Sequence, residues 1–289
     1  MAKEFFEDRR FQEHALSTIA LCNDIVEEYQ QQGYRLTLRQ LYYQLVSRDV
    51  IANTSKEYSK LSSVISKARL AGFVDWDAIE DRVRVPRKHA EFDSLSNLVD
   101  AAIYSYRLPR WKGQKHYVEL WVEKDALAGV LEPITRDYHI TLMVNRGYSS
   151  QSAMYESAKR FAGQPQEHKA ILYLGDHDPS GEDMVRDIND RFIMFNEPVT
   201  VVKIALTMNQ IKQYKPPPNP AKITDPRADK YIKKYGAISW EVDALPPQVL
   251  VKTITTALNK LIDKPVMDKI IDKENTDKEW LRKIVTRRK

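Results

Sequence analysis

Three carboxylates stand where a sheet would bring them together: Glu123 in WVEKDA, and Asp176 and Asp178 in YLGDHDPSG. Each follows a run of apolar, β-rich residues, and in an open α/β sheet the carboxyl ends of the strands are where sites form. Such charges repel one another, so they share a site only with a cation or a proton among them. Oxygen ligands of this kind suit Mg²⁺, which keeps several waters and takes one or two carboxylates together with substrate phosphate; Mn²⁺ is tolerated as well. A lone Asp-x-Asp is ordinary, because short acidic pairs often cap helices. Here Pro179-Ser180-Gly181 opens a helix directly after the pair and a strand-end Glu123-Lys124 precedes it, which is a much rarer combination. Lys124 and Arg146 are the bases nearest to these motifs and can contact phosphate. His177 points to the opposite side of an extended segment from both aspartates, so it is expected behind the ligands or toward solvent.

A second group able to do chemistry lies upstream, in TLRQLYYQLVSR. Thr37 is a plausible N-cap, and Leu38, Leu41 and Leu45 form one apolar stripe of a helix. At about 100° per residue, Tyr42 falls at the margin of that stripe and Tyr43 nearly opposite it. Tyr42 is therefore expected in the core and Tyr43 exposed. Arg39 precedes Tyr43 by one helical turn and shares its face, where a guanidinium can hold phosphate or favour a phenolate. An exposed tyrosine can equally stack on DNA or pack against a neighbouring segment.

The elements that must position these residues follow from periodicity. Residues 4–32 lack Pro and internal Gly and predict one long helix ending near Gly33, followed by the helix from Thr37 and a third running to about Ala71 with Gly72 as its stop. Three short helices with a basic last member suggest a helix-turn-helix of winged type. From residue 115 onward the runs HYVELWV, HITLMV, KAILYLG and TVVKIAL alternate with helical stretches at 124–136, 149–163 and 179–193, the signature of a mostly parallel sheet covered by helices. The segment 84–114, with Pro86, a helix near 92–106 and Pro109, connects the two units. The division expected is residues 1–110 and 111–289, with two Lys-rich helices at about 247–262 and 266–285. PPPNPAK is expected as a rigid loop, and Glu241 and Asp243 in SWEVDALPP as structural.

At 289 residues the chain has room for two modest domains, and 43% hydrophobic with 29% charged residues is an ordinary globular composition. One cysteine, Cys22, excludes an intramolecular disulfide and a Cys-based zinc cluster; it is expected as a buried thiol. No apolar stretch suits a membrane span, and the acidic start MAKEFFEDRR does not suit a signal peptide, so a cytoplasmic protein is expected. Bases cluster over residues 35–72, where Arg35, Arg39, Arg48, Lys56, Lys60, Lys67 and Arg69 face only Asp49 and Glu57, and again in the tail ending EWLRKIVTRRK. Such patches fit a polyanion, or simply solvated helix faces. The remaining histidines show no ligand spacing.

WVEKDA, NRGYSSQSAMYESAKR and LYLGDHDPSG together resemble the Toprim fold, and more narrowly the family of the topoisomerase VI A subunit and the meiotic double-strand-break transesterase, over roughly residues 35–195. The resemblance implies a winged-helix domain followed by a Rossmann-like Toprim domain. It implies that Glu123, Asp176 and Asp178 hold Mg²⁺ at a DNA phosphate, with Glu123 exchanging a proton with the leaving 3′ oxygen. In that family the second aromatic of a motif of basic residue, spacer and two aromatics is the nucleophile, which here selects Tyr43 after Arg39. The resemblance further implies a homodimer in which the tyrosine of one subunit works at the metal of the other. Arg39, Lys56, Lys60, Lys67, Arg69, Lys124 and Arg146 become the candidate contacts to double-stranded DNA. No P-loop or other ATPase-like glycine-rich motif is present, so ATP-driven strand passage would need a separate partner. Two rival readings stand beside the transesterase: a Toprim endonuclease of a defence or mobile-element system using metal-activated water, and a non-catalytic winged-helix DNA-binding regulator.

Overall fold

A computed structural model describes residues 3–79, 90–145 and 147–286. Three helices open the chain: α1 (Glu13–Gln31), α2 (Leu38–Ser47) and α3 (Ser55–Leu70). The start of α2 is fixed by a capping box, in which the Thr37 hydroxyl accepts from the Gln40 N–H and the Gln40 side chain accepts from the Thr37 N–H. Thr54 caps α3 in the same way at one end only. Ile25, Leu41, Leu45, Leu61 and Ile65 form the core of this unit, and Cys22 is buried among them, its thiol pushed up to about 12 by desolvation.

The first helix is shorter than residues 4–32. The residues ahead of Glu13 run along the end of α3, where the Phe6 and Glu7 amides both donate to the Leu70 carbonyl and the Phe6 ring meets Trp76 edge-on. Gly72 permits that approach: its φ is +72°, and a Cβ there would lie 3.4 Å from the Glu4 carbonyl oxygen. Among the described residues this unit has no β-hairpin, only the single bridges Phe5↔Ala71 and Leu36↔Ile79. Pro86 and Arg146 lie outside the described residues.

After α4 (Leu95–Ser105), strands and helices alternate as β1 (His116–Val122), α5 (Ala128–Tyr138), β2 (Thr141–Val144), α6 (Gln151–Ala162), β3 (His168–Leu174), α7 (Pro179–Met194) and β4 (Thr200–Ala205). The four strands make one parallel sheet in the order β2-β1-β3-β4. The period of two sorts side chains onto its faces. Val118, Leu120 and Val122 pack with Leu172, Leu174 and Leu131 on one face, and Trp121, Ile171 and Tyr173 pack with Phe161 and Phe192 on the other. A sheet covered on both faces explains why its strands are nearly continuous apolar runs.

The remainder adds α8 (Met208–Tyr214), a short antiparallel pair of β5 (Asn219–Pro220) and β6 (Ile238–Ser239) around α9 (Ala228–Tyr235), then α10 (Pro247–Asn259) and α11 (Lys264–Thr286). Leu250 and Ile254 of α10 close the first face of the sheet. The turn after α4 is anchored to α11, where Glu274 accepts from the Leu108 N–H and from Arg110. Among the described residues no helix is long and apolar enough to cross a membrane.

Candidate active site

Val122 pairs with Leu174 in β3 and with Val144 in β2, so the chain leaves three strands at one edge of the sheet. Glu123 and Asp176 meet there, the Glu123 carboxylate accepting the Asp176 N–H at 3.2 Å. Asp178 caps α7, its carboxylate accepting from the Gly181 N–H (2.6 Å) and the Ser180 hydroxyl (3.0 Å). Gly181 is required for this packing, because a Cβ at that position would stand 2.2 Å from the Asp176 carbonyl oxygen. Lys203 of β4 donates to the same carbonyl at 2.6 Å and to Glu182 at 2.8 Å.

His177 is buried rather than facing solvent. Its main chain makes an antiparallel bridge with Trp240, N–H to carbonyl in both directions at 2.8 and 3.0 Å. Its ring lies 2.8 Å from the Tyr231 hydroxyl, and burial lowers its proton affinity against the opposing Glu182 charge. This bridge has a consequence for the site: it carries Glu241 and Asp243 to the edge of the sheet. The Val242 N–H then donates to the Asp176 carboxylate at 2.8 Å.

Glu241 and Asp243 were expected to be structural; they line the centre of the cluster instead. Lys124 reaches Asp176 at 3.0 Å, Glu241 at 2.8 Å and Asp243 at 2.9 Å. Arg39 of α2 pairs with Glu241 and approaches Asp243 at 3.2 Å, and it donates to the Tyr43 hydroxyl at 3.3 Å. The signal that could have found the two acids is their alternation on either side of Val242, directly after a short strand.

Tyr43 is buried, at 4% exposure, which corrects the expectation of an exposed ring. The face of α2 opposite the leucine stripe is covered by the turn at Val242–Ala244, and Ala244 belongs to the core of the helical unit. Tyr42 is buried as expected, with its hydroxyl held by Asn53 and the Thr54 carbonyl. A cavity of about 420 Å³ joins the two units; Arg39, Tyr43, Asp176, Asp178 and Glu241 all line it.

The electrostatics of the cluster are uneven. Burial raises the Tyr43 hydroxyl above its ordinary range, and the Asp243 and Glu241 charges raise it further against the opposing pull of Arg39. Burial raises Asp176 most; Lys124 opposes this, and the Glu123 and Asp243 charges add to it, so the group ends above the ordinary carboxylate range. Burial disfavours the Lys124 ammonium, but Asp243, Asp176 and Glu241 overcome that and hold it above the ordinary lysine range. Glu241 goes the other way: Lys124, Tyr43 and Arg39 outweigh its burial and keep it ionised.

Among the described residues, no three His, Cys, Asp or Glu side chains are grouped to hold a metal ion in this arrangement. Glu123, Asp176 and Asp178 share the edge, but each carboxylate is directed to its own donor. The donor chemistry nonetheless fits a hard cation. All the acids at this edge are oxygen ligands, Asp176 is pushed toward holding a proton, and the buried Oδ2 of Asp243 has no hydrogen-bond partner.

The candidate phosphate contacts divide. Lys56, Lys60 and Lys67 are exposed on α3, Lys60 paired with Glu57. Arg69 is half-buried, its guanidinium 4.5 Å over the Trp76 ring and donating to the Trp76 carbonyl. Lys124 is largely covered and pairs with the cavity's acids, whereas Arg39 pairs with Glu241 while its side chain stays exposed. Arg146 lies outside the described residues. No protein-family model matches this sequence and no curated protein matches it, so the meaning of the site is carried by its own residues.

Proposed function

We propose that the protein cleaves DNA by transesterification, with Tyr43 as nucleophile beside a Toprim-like carboxylate site, as the resemblance to the topoisomerase VI A family implies. The observation that carries this reading is the single cavity in which Tyr43 and Arg39 of α2 face Asp176 and Asp178 of the sheet edge. In the reaction the Tyr43 oxygen bonds to phosphorus and the P–O3′ bond breaks. The phenol proton passes to water, and the 3′ oxygen takes a proton, for which Glu123 is the assigned donor. Arg39, within hydrogen-bond distance of the phenol oxygen, favours the phenolate over the neutral form that burial imposes. Glu123, Asp176 and Asp178 are the residues that would hold Mg²⁺, or Mn²⁺ in its place, which would supply positive charge against the phosphate. Lys56, Lys60 and Lys67 are exposed, and in this reading they follow the duplex backbone.

The resemblance implies a site shared between two subunits of a homodimer. In this chain both halves line one cavity, which supports a tyrosine that works beside the carboxylates of its own subunit; two copies would then cut two strands. The test is an incubation of purified protein with supercoiled plasmid and Mg²⁺ or Mn²⁺, quenched with detergent, with and without protease. Breaks that migrate as free DNA only after protease digestion support the reading. Breaks with free 5′ phosphates in both lanes make the protein a hydrolytic endonuclease, and the absence of breaks leaves a DNA-binding regulator.

A further inference from the structure

Glu241 stands between the two cations of the site. Its Oε2 accepts from Arg39 and, at 2.8 Å, from Lys124, and its Oε1 accepts from the Asn219 amide at 3.3 Å. Arg39 uses the same nitrogen to reach the Tyr43 hydroxyl. Of the acids touching Lys124, Glu241 has the most solvent access: its side chain is 23% exposed, against 11% for Asp176 and none for Asp243. Asp176 and Asp243 are also tied to the buried frame, one by the Val242 N–H and the other by complete burial, whereas Glu241 hangs on a longer side chain at the cavity wall.

Two terminal oxygens taking an arginine, a lysine and an amide are what a phosphodiester presents to a protein. We infer that the scissile phosphate of DNA binds where the Glu241 carboxylate sits, between Arg39, Lys124 and the Tyr43 hydroxyl, so that Glu241 is an internal stand-in for phosphate that the substrate displaces. This rests on the cleavage reading above and assigns the phosphate its place within it. Assigning Glu241 as the base that deprotonates Tyr43 accounts for less. A carboxylate held ionised by two cations has little affinity for a proton, and the phenol beside it holds its proton more tightly than usual. The stand-in role uses the ion pairs as they are.

Removing this acid should strengthen attachment to DNA, because Arg39 and Lys124 each lose one competing carboxylate while Asp243 stays beside both and Asp176 stays on Lys124. The experiment measures binding of a fluorescent duplex to the full chain in EDTA, over a range of salt, for the wild type and Glu241→Gln. The expected result is roughly tenfold tighter binding for Glu241→Gln, and a log–log salt slope steeper by about one, because one negative charge is removed from the site that receives the phosphate. Arg39→Gln should then cost more affinity in the Glu241→Gln background than in the wild type. Equal or weaker binding with an unchanged slope, in a variant that melts like the wild type, overturns the inference. If Glu241→Gln melts early, Glu241→Asp decides. It keeps the charge but shortens the reach, so binding tighter than the wild type supports the stand-in and equal or weaker binding refutes it. Because no cutting is scored, tighter binding by a protein that never forms an adduct sinks the transesterase reading and leaves the phosphate position standing.

Discussion

Glu119, midway along β1, and Asp243, after β6, are equally removed from solvent, and each has a guanidinium beside it, but their surroundings differ. The two oxygens of Glu119 receive four donors: Arg160 through Nε at 2.7 Å and Nη2 at 2.9 Å, the Tyr117 hydroxyl at 2.7 Å and the Trp121 indole at 2.9 Å. Asp243 receives Lys124 on one oxygen and no hydrogen bond on the other, although Arg39 lies 3.2 Å away. The same sheet thus holds one buried carboxylate with every lone pair committed and, at its carboxyl edge, a group of carboxylates with charge left over. The fully bonded acid specifies how α6 packs on the sheet. The under-bonded group has capacity for something not supplied by the chain, and it is the one that faces a cavity and a tyrosine.

The largest expected effect separates the two regions by activity. Asp176→Asn removes a charge from the strained group with little change in volume, and it should lower metal-dependent cutting by at least about a hundredfold, by loss of transition-state charge stabilisation. Its melting temperature should hold or rise. Cutting at the wild-type rate would show that the edge acids are not the chemistry. The second effect falls on stability. Glu119→Gln leaves the Arg160 guanidinium partly buried without its carboxylate and should cost roughly 3–5 kcal/mol, read from denaturant unfolding. A loss under about 1 kcal/mol would mean that the bonded acid contributes no more than a surface pair.

A smaller effect concerns pH. The folded protein raises the proton affinity of Asp176 above that of an unfolded aspartate, so protons bind the native state preferentially and stability falls as pH rises from about 4 toward neutrality through this group. Glu274 has the opposite sign, since Arg110, Lys278 and the Leu108 N–H outweigh its burial and hold it at about 2, and its contribution is lost as pH falls below the ordinary glutamate range. Comparing the stability curves of the wild type and Asp176→Asn isolates the first slope; identical curves between pH 4 and 7 contradict the strained edge. The smallest expected effect is none at all. A mixture of Tyr43→Phe and Asp176→Asn subunits should not regain cutting if each tyrosine works beside its own carboxylates, and nicking restored after proven subunit exchange would place the tyrosine across a dimer.

Much of this architecture was legible because the sheet is buried on both faces. Four apolar runs of strand length, separated by helical stretches, admit little else, and the acids at their ends follow from where strands stop. Helix boundaries set by local chemistry, such as the Thr37 cap, were legible for the same reason. What escaped came from contacts distant in the chain. Residues ahead of Glu13 have helical composition, yet their amides find a better partner in the Leu70 carbonyl at the end of α3. Tyr43 seemed exposed because a helical wheel records only the helix's own stripe, and the turn at Val242–Ala244 covers the opposite side. Glu241 and Asp243 entered the site through a main-chain bridge between His177 and Trp240, which leaves no mark on residue types.

The account depends most directly on the Tyr43 oxygen. Tyr43→Phe deletes that atom and keeps the ring, so the edge contacts with Tyr42 and the packing of α2 should survive. The measurement is the amount of detergent-stable, 5′-linked protein–DNA adduct formed with Mg²⁺ by the wild type and by Tyr43→Phe at matched DNA occupancy. The account predicts an adduct in the wild type and none in the variant, with cutting lost alongside it. Cutting by Tyr43→Phe at the wild-type rate, with free 5′ phosphates and the same metal dependence, would contradict it and give the nucleophile's role to water.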